Sequence, residues 1–222
     1  MTGLWVLWVI YTLALFIDVL YVQPWRGRTA GTSQPPGAIS FGLRAALPLF
    51  TLLLVLRTFV IDVYHVPSGS MRPLLDEGSR IWVNRLAYGI RSPITGAPLY
   101  GDTEPQRGDV IVFQYPREPR TTYVKRVLAI AGDHLEITGS NIRINGHELI
   151  DHRGPGPLHD AEIGSVKYRV LDQPRHSSES TPIDLTVPPG HYFTLGDNLA
   201  NSQDSRVWGL LEHRNLLGRV IL

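Results

Sequence analysis

Two long apolar runs open the chain, and a different pattern, alternation of period two, takes over after them. Residues 3–22, GLWVLWVIYTLALFIDVLYV, carry a single charge, Asp18. Twenty helical residues cover about 30 Å, the thickness of a bilayer's hydrocarbon core, so a first transmembrane helix is predicted within residues 1–22. A buried core helix is the competing reading, but such helices are seldom apolar all round at this length. A cleavable leader would begin basic and end in small residues, whereas this run begins MTG and ends in Leu20, Tyr21 and Val22. Residues 23–42, rich in Pro, Gly and Ser, read as a loop. A second apolar run, residues 43–61 (LRAALPLFTLLLVLRTFVI), predicts a second transmembrane helix. Pro48 is tolerated in such a helix, and Arg57 reaches the interface by snorkelling.

Beyond residue 61, segments such as RIWVNRLAYGI, DVIVFQY, TYVKRVLAIAG and HYFTLGD alternate apolar and polar positions between turn residues, which predicts strands. No repeat of fixed period and no heptad pattern is visible. Residues 134–190 begin as a hairpin over 135–150 and then turn polar through HRGPGPLHD and DQPRHSSESTP, so they read as an insertion whose polar parts are mobile loops. The predicted fold is therefore mostly β: two N-terminal transmembrane helices, then an antiparallel β core of residues 62–133 and 191–222, with a smaller β-containing subdomain inserted.

Charge orients this arrangement. Arg26, Arg28 and Arg44 flank or occupy the connecting loop and no basic residue precedes the first run, which places the loop in the cytoplasm and everything after residue 61 outside. The 21 basic and 20 acidic residues form no basic stripe, so no nucleic-acid partner is expected. With no cysteine, there is neither a disulfide framework nor a thiolate, and covalent chemistry falls to Ser, Thr, Lys or a carboxylate.

The eight histidines are dispersed, and HELIDH (147–152) has the wrong spacing for a zinc helix, so no metal and no other cofactor is expected. No G-x-S-x-G elbow and no glycine-rich phosphate loop is present. What remains is VPSGSMRP (66–73), two serines and a glycine between prolines directly after the second apolar run. A serine hydroxyl needs a base, and a lysine serves if it is held neutral. In YVKRVLAIA, Lys125 shares a strand face with Tyr123, Val127 and Ala129, an apolar setting that disfavours the ammonium. The same pattern equally fits an edge lysine with its head in water. The segment GDNLANSQDSRVWG (196–209) suits a tight loop gathering Ser202, Asp204, Ser205 and Arg206, or an ordinary turn with a solvated Asp–Arg pair.

Taken in order, PSGSMRPLL, RIWVNRLAYGI, RGDVIVFQYP, YVKRVLAIAGD and GDNLANSQDSRVWG resemble the blocks of the bacterial type I signal peptidases, membrane-anchored Ser-Lys serine proteases. The S-G-S-M block with Y-V-K-R downstream is the specific part. The resemblance implies an endopeptidase of the inner (plasma) membrane, multi-pass, with its catalytic domain on the periplasmic side. Its partners would be the signal peptides of exported preproteins, cut after an Ala-x-Ala type site, and the lipid bilayer. It implies Ser70 as nucleophile, Lys125 as general base, and Ser68 with the Ser70 backbone N–H as oxyanion hole. Ser202 would orient the lysine, Asp204 and Arg206 would support its loop, and Val66, Pro67, Met71, Leu75, Tyr123 and Val124 would line the substrate cleft.

One departure stands out. The family usually reads G-D-N-R-D-N-S where this chain has GDNLANS, with Leu199 and Ala200 in place of an Arg and an Asp. That change bears on how rigidly the loop holds Ser202 and Lys125, and it motivates a competing reading: a non-catalytic or specialised paralogue that binds signal-peptide segments. Self-cleaving repressor-like proteins also use Ser-Lys dyads, but two membrane helices and no DNA-binding head argue against that class.

Overall fold

The computed structural model describes residues 2–17, 38–91, 98–172 and 182–222. The chain divides into two compact units, Met1–Ile61 with Arg91–Gly96, and Asp62–Ile90 with Ala97–Leu222. In the first, α1 (Thr2–Ile17) packs on α2 (Ala38–Val55), which continues into a π-helical turn, Leu56–Val60. Trp8 Nε1 donates to Thr51 Oγ1 at 2.9 Å, and Tyr11 meets Phe50 edge-on with ring centroids 6.0 Å apart.

These helices differ from the predicted spans. α2 starts at Ala38, inside the stretch read as a loop, so Ser40, Gly42 and Arg44 sit in its first turns and dilute its apolar character. Ile61, read as the end of the span, is already extended. α1 has 16 residues, about 24 Å of helix against a hydrocarbon core of about 30 Å. Among the described residues no helix is long and apolar enough to cross a membrane. Residues 18–22 of the first predicted span, and the loop to residue 37, lie outside the described residues.

The second unit is antiparallel β, built on a seven-stranded sheet. Its strands and their companions are β1 (Ile61–His65), β2 (Arg80–Asn84), β3 (Ile90–Arg91), β4 (Pro98–Tyr100), β5 (Val110–Tyr115) and β6 (Glu118–Ala129). The insertion supplies β7 (His134–Thr138), β8 (Asn141–Ile144), β9 (His147–Glu148), β10 (Ile150–Asp151), β11 (Leu158–Ile163), β12 (Val166–Leu171) and β13 (Ile183–Thr186). The chain closes with β14 (His191–Leu195), a short helix α3 (Ser205–Trp208), β15 (Leu211–Glu212) and β16 (Leu216–Ile221). The main sheet runs β1-β2-β16-β5-β6-β14-β15, so strands from both ends of this unit interleave. β3 and β4 form a two-stranded ribbon.

β5, at the middle, is buried on both faces. Val110 and Val112 join Val66, Met71, Ile81, Val83 and Val124 on one side, while Ile111 and Phe113 join Val127, Tyr192, Trp208 and Leu216 on the other. That double burial explains its continuous apolar run VIVF, which a half-exposed strand would not show.

The insertion is more ordered than its composition predicts. β7 and β8 are the expected hairpin, joined by β9 and β13 in a four-stranded sheet, but the polar stretch after it holds a second hairpin, β11–β12, in a three-stranded sheet with β10. In β11 the inward positions are His159, Ala161 and Ile163, strictly alternating with exposed ones. A histidine and an alanine at two of three core positions mask the period in the sequence. The insertion shares its core with the main sheet: Leu135, Ile142, Ile150, Ile163 and Val170 pack in one cluster with Leu128, Ala129, Phe193 and Leu195. Of DQPRHSSESTP, residues 173–181 lie outside the described residues.

Candidate active site

Ser70 sits in a 3₁₀ turn, Gly69–Met71, entered from an extended Ser68 and left by an extended Arg72. The turn is anchored from below by the buried side chains of Val66 and Met71 in the cluster that backs the sheet. Lys125 approaches from β6, where it pairs with Ile111 of β5. Its Nζ lies 2.7 Å from Ser70 Oγ and donates to the Val124 carbonyl at 2.9 Å. The Ser68 hydroxyl donates to Ser70 Oγ at 3.2 Å.

Lys125 is 4% exposed and no carboxylate pairs with it among the described residues. Burial lowers its pKa from 10.5 to about 8, against the Asp204 and Asp197 carboxylates, which raise it. Of the two readings the sequence left open, the solvated edge lysine is therefore not the one the fold adopts. Keeping the ammonium charged there costs about 3 kcal/mol at roughly 1.36 kcal/mol per unit, because burial strips it of water.

The 196–209 segment closes over this pair. Asn198 gives its backbone N–H to the Ser70 carbonyl at 3.0 Å and its side-chain Nδ2 to the Gly69 carbonyl at 3.1 Å, which fixes the serine turn. Asp204 is fully buried, caps α3, and accepts from the Gly196 N–H at 3.2 Å and from Arg206 Nε at 2.8 Å. Arg206 also donates to the Leu199 carbonyl at 2.8 Å, so the two residues brace the loop across its width. Ser202 is 8% exposed, reaches the cleft, and its buried hydroxyl has no hydrogen-bond partner among the described residues. Leu199 is 5% exposed and belongs to the core shared with the insertion.

A cleft of about 410 Å³ opens beside Ser70. Val66, Pro67, Met71, Tyr123 and Val124 line it, with Ser68, Lys125 and Ser202. Leu75 is not in its wall; it packs half-buried against the cluster behind. Thr122, Asn201, Gln203 and Val207 line the cleft without having been singled out in the sequence. Gly196 was likewise given no role, yet a Cβ there would lie 2.3 Å from Ser202 Oγ and 2.5 Å from the Ser70 carbonyl oxygen. Its sequence signal was present in the quoted loop, but the need for a bare backbone arises only from the approach of the serine turn.

Metal-ligating groups lie elsewhere. Among the described residues, His134, Glu136 and Asp184 have ligand atoms within 4.8 Å of one another on β7 and β13. They are partly or largely exposed and already paired with each other, His134 Nε2 lying 3.6 Å from Glu136 and 3.5 Å from Asp184. None of the three lines the cleft.

A hydroxyl with a partly neutral amine in contact, a second hydroxyl beside it and a groove for an extended chain make an arrangement suited to acyl transfer by a serine. The family described as "Signal peptidase, peptidase S26" matches residues 40–222. Signal peptidase I of Pseudomonas aeruginosa is 34% identical over 207 residues, covering 84% of this chain and 72% of that protein. Its counterpart from Pseudomonas fluorescens is 33% identical over 206 residues, with the same coverage. A crystal structure of a signal peptidase I from Enterococcus faecalis, 28% identical, covers 54% of this chain and 98% of its own with a TM-score of 0.36. The chain belongs to the S26 signal peptidase family, as a serine peptidase of the signal peptidase I type.

Proposed function

We propose that signal-peptide cleavage in this protein runs on a Ser70–Lys125 dyad, and the observation that carries the reading is the 2.7 Å contact between a buried lysine amine and the serine hydroxyl. The neutral fraction of Lys125 takes the Ser70 proton as Oγ attacks the scissile carbonyl. The resulting ammonium gives that proton to the departing amine as the C–N bond breaks. A water then enters, loses its proton to Lys125 and hydrolyses the acyl ester, restoring Ser70. The Ser68 hydroxyl and the Ser70 backbone N–H stabilise the oxyanion, a contribution typically worth about 3 kcal/mol for one donor. Ser202, its hydroxyl otherwise unpartnered, receives the ammonium after proton transfer and keeps the flexible side chain in line, while Asp204 and Arg206 keep Ser202 in place.

Substrate specificity follows from the groove. An extended peptide shows alternate side chains to the enzyme, and the shallow apolar wall of Val66, Pro67, Met71, Tyr123 and Val124 suits small residues at the first and third positions before the cut. Leu75 shapes that wall from behind. We assign residues 62–133 and 191–222 to the catalytic core and 134–190 to an inserted subdomain. The apolar runs 3–22 and 43–61 support a multi-pass anchor in a bacterial plasma membrane, with the arginine-bearing loop cytoplasmic and the catalytic domain on the extracytoplasmic side.

Cleavage of a preprotein bearing an Ala-x-Ala site, in detergent, tests the reading. Wild type cuts at that site, and Ser70→Ala and Lys125→Ala each lose at least about 10³-fold in kcat/KM. No cutting by folded wild type would favour the signal-peptide-binding relative instead.

A further inference from the structure

The face of β6 opposite Lys125 is covered by the insertion. Arg126, 3% exposed, gives Nε and Nη2 to the two oxygens of Asp197 at 2.8 and 2.7 Å, and Nη1 to the Gly108 carbonyl at 2.9 Å. Three of its five N–H donors are so used, and the Tyr168 ring from β12 lies on the flat face of the guanidinium, 4.0 Å from Cζ to the ring centroid. β12 comes this close because position 108 lacks a side chain: a Cβ there would lie 2.9 Å from Val166 Cγ2. The same strand then grips the loop, Leu171 donating its N–H to the Asp197 carbonyl at 2.8 Å and bridging Asn198. Asn198 in turn holds the Ser70 turn through the two bonds described above.

We propose that Tyr168 is a positioning residue for signal-peptide cleavage: its ring keeps the Arg126–Asp197 pair closed, and through that pair it sets the Lys125 amine and the Ser70 turn. The inference rests on the reading of Lys125 as the base. An aromatic face over a desolvated guanidinium is a strong contact of its kind, and it also shuts water out of the ion pair beneath. The Lys125 amine contacts Ser70 Oγ and the Val124 carbonyl and lies 5.4 Å from the Tyr123 ring centroid, and the Asp204 and Asp197 carboxylates act on it by their charge alone. Both carboxylates raise its basicity, so the more of the Asp197 charge Arg126 absorbs, the more neutral the amine stays. Loosening the pair returns that charge to Lys125 and lowers the neutral fraction at a given pH.

The experiment uses the full chain in detergent with the Ala-x-Ala preprotein, following kcat and KM across the pH range around 8 for wild type, Tyr168→Phe, Tyr168→Met and Lys125→Ala. Thermal unfolding of each variant reads its folded fraction. Tyr168→Met fills the volume without a ring, and Tyr168→Leu serves if it does not fold. In the ring-less variant the acid limb of the kcat profile moves up by about half a pH unit and the rate at neutral pH falls roughly threefold, with KM unchanged. Tyr168→Phe keeps the ring and behaves as wild type, because the Tyr168 hydroxyl makes no hydrogen bond among the described residues. A limb that stays in place, with a rate loss matching only the unfolded fraction, overturns the proposal, as does a Phe variant as impaired as the Met one. If Lys125→Ala still cleaves, the Ser-Lys reading itself fails; if it is inactive while the ring-less limb stays put, only the role of Tyr168 fails.

Discussion

Lys125 and Arg126 are neighbours on one strand, and both are nearly inaccessible to water, at 4% and 3% exposure. On one face of β6 the lysine meets a serine hydroxyl, a carbonyl and the face of an aromatic ring, with no carboxylate in contact among the described residues. Opposite, the arginine is met by both oxygens of Asp197. Burial is the same and the outcome is reversed: the first cation is pushed toward neutrality, down to about 8, while the second stays charged and locked. Asp197 shows the same competition from the other side, its carboxyl raised by burial against the pull of the guanidinium. What a buried base needs is therefore depth together with the absence of a partner, and the choice of lysine matters because an arginine does not deprotonate in proteins.

The comparison is most exposed to exchanging each cation for an apolar side chain. Arg126→Met strands the Asp197 carboxylate and should cost about 3–5 kcal/mol of stability at neutral pH, whereas Lys125→Met strands no charge and relieves the burial of the ammonium, so it should not destabilise the fold. Urea denaturation of the two variants reads this directly, and equal losses would erase the distinction.

Next in size is the pH dependence. Lys125 titrates near 8 when folded and at 10.5 when exposed, so between these values the unfolded chain binds the extra proton. Stability should accordingly rise with pH across that window, by about 3 kcal/mol in total, and the rise should vanish in Lys125→Met. Parallel slopes for wild type and variant would place the depressed group elsewhere.

A third charge in the same core sharpens the rule. Leu199→Arg restores the family's usual residue at a position 5% exposed among apolar neighbours, and with no carboxylate provided there it should lose about 2–3 kcal/mol in the same assay. Stabilisation by this variant would mean that the loop rebuilds a partner for the new guanidinium.

Ser202→Ala is the mildest for the fold. Its hydroxyl has no bond to lose, so stability should stay within about 0.5 kcal/mol, while cleavage drops roughly tenfold to a hundredfold as the lysine loses its guide. A stability loss without a rate loss would recast Ser202 as a packing residue.

The central strands of the main sheet were legible as short apolar, β-branched runs between turn residues: VIVFQY and most of YVKRVLAIA read as strands and are strands. The clustering of Ser70, Ser68 and Lys125 was legible through the order of the blocks, although the two dyad residues are 55 positions apart. Arg126 passed unnoticed as a polar residue alternating outward. The element that buries it, β12, lies in a stretch whose polar composition suggested loops, and a face cannot be assigned to solvent until what covers it is known. Leu75 fails in the opposite sense, close in sequence to the serine turn yet behind the cleft wall. The helix α2, read as starting at residue 43, begins at Ala38, since backbone hydrogen bonding carries a helix into weakly apolar residues that hydropathy leaves out.

By itself, the sequence determined the order of the blocks and the lack of any thiol, which are written along the chain, and the pairing of a constrained serine turn with one lysine came from the resemblance those blocks carry. Whether that lysine is pushed toward neutrality, whether its neighbour meets a carboxylate, and whether position 196 must be glycine were decided by the tertiary structure alone. Each depends on what packs within a few ångströms from segments far away in the chain: the serine turn on one face of β6, the insertion on the other, and the closing loop beside them.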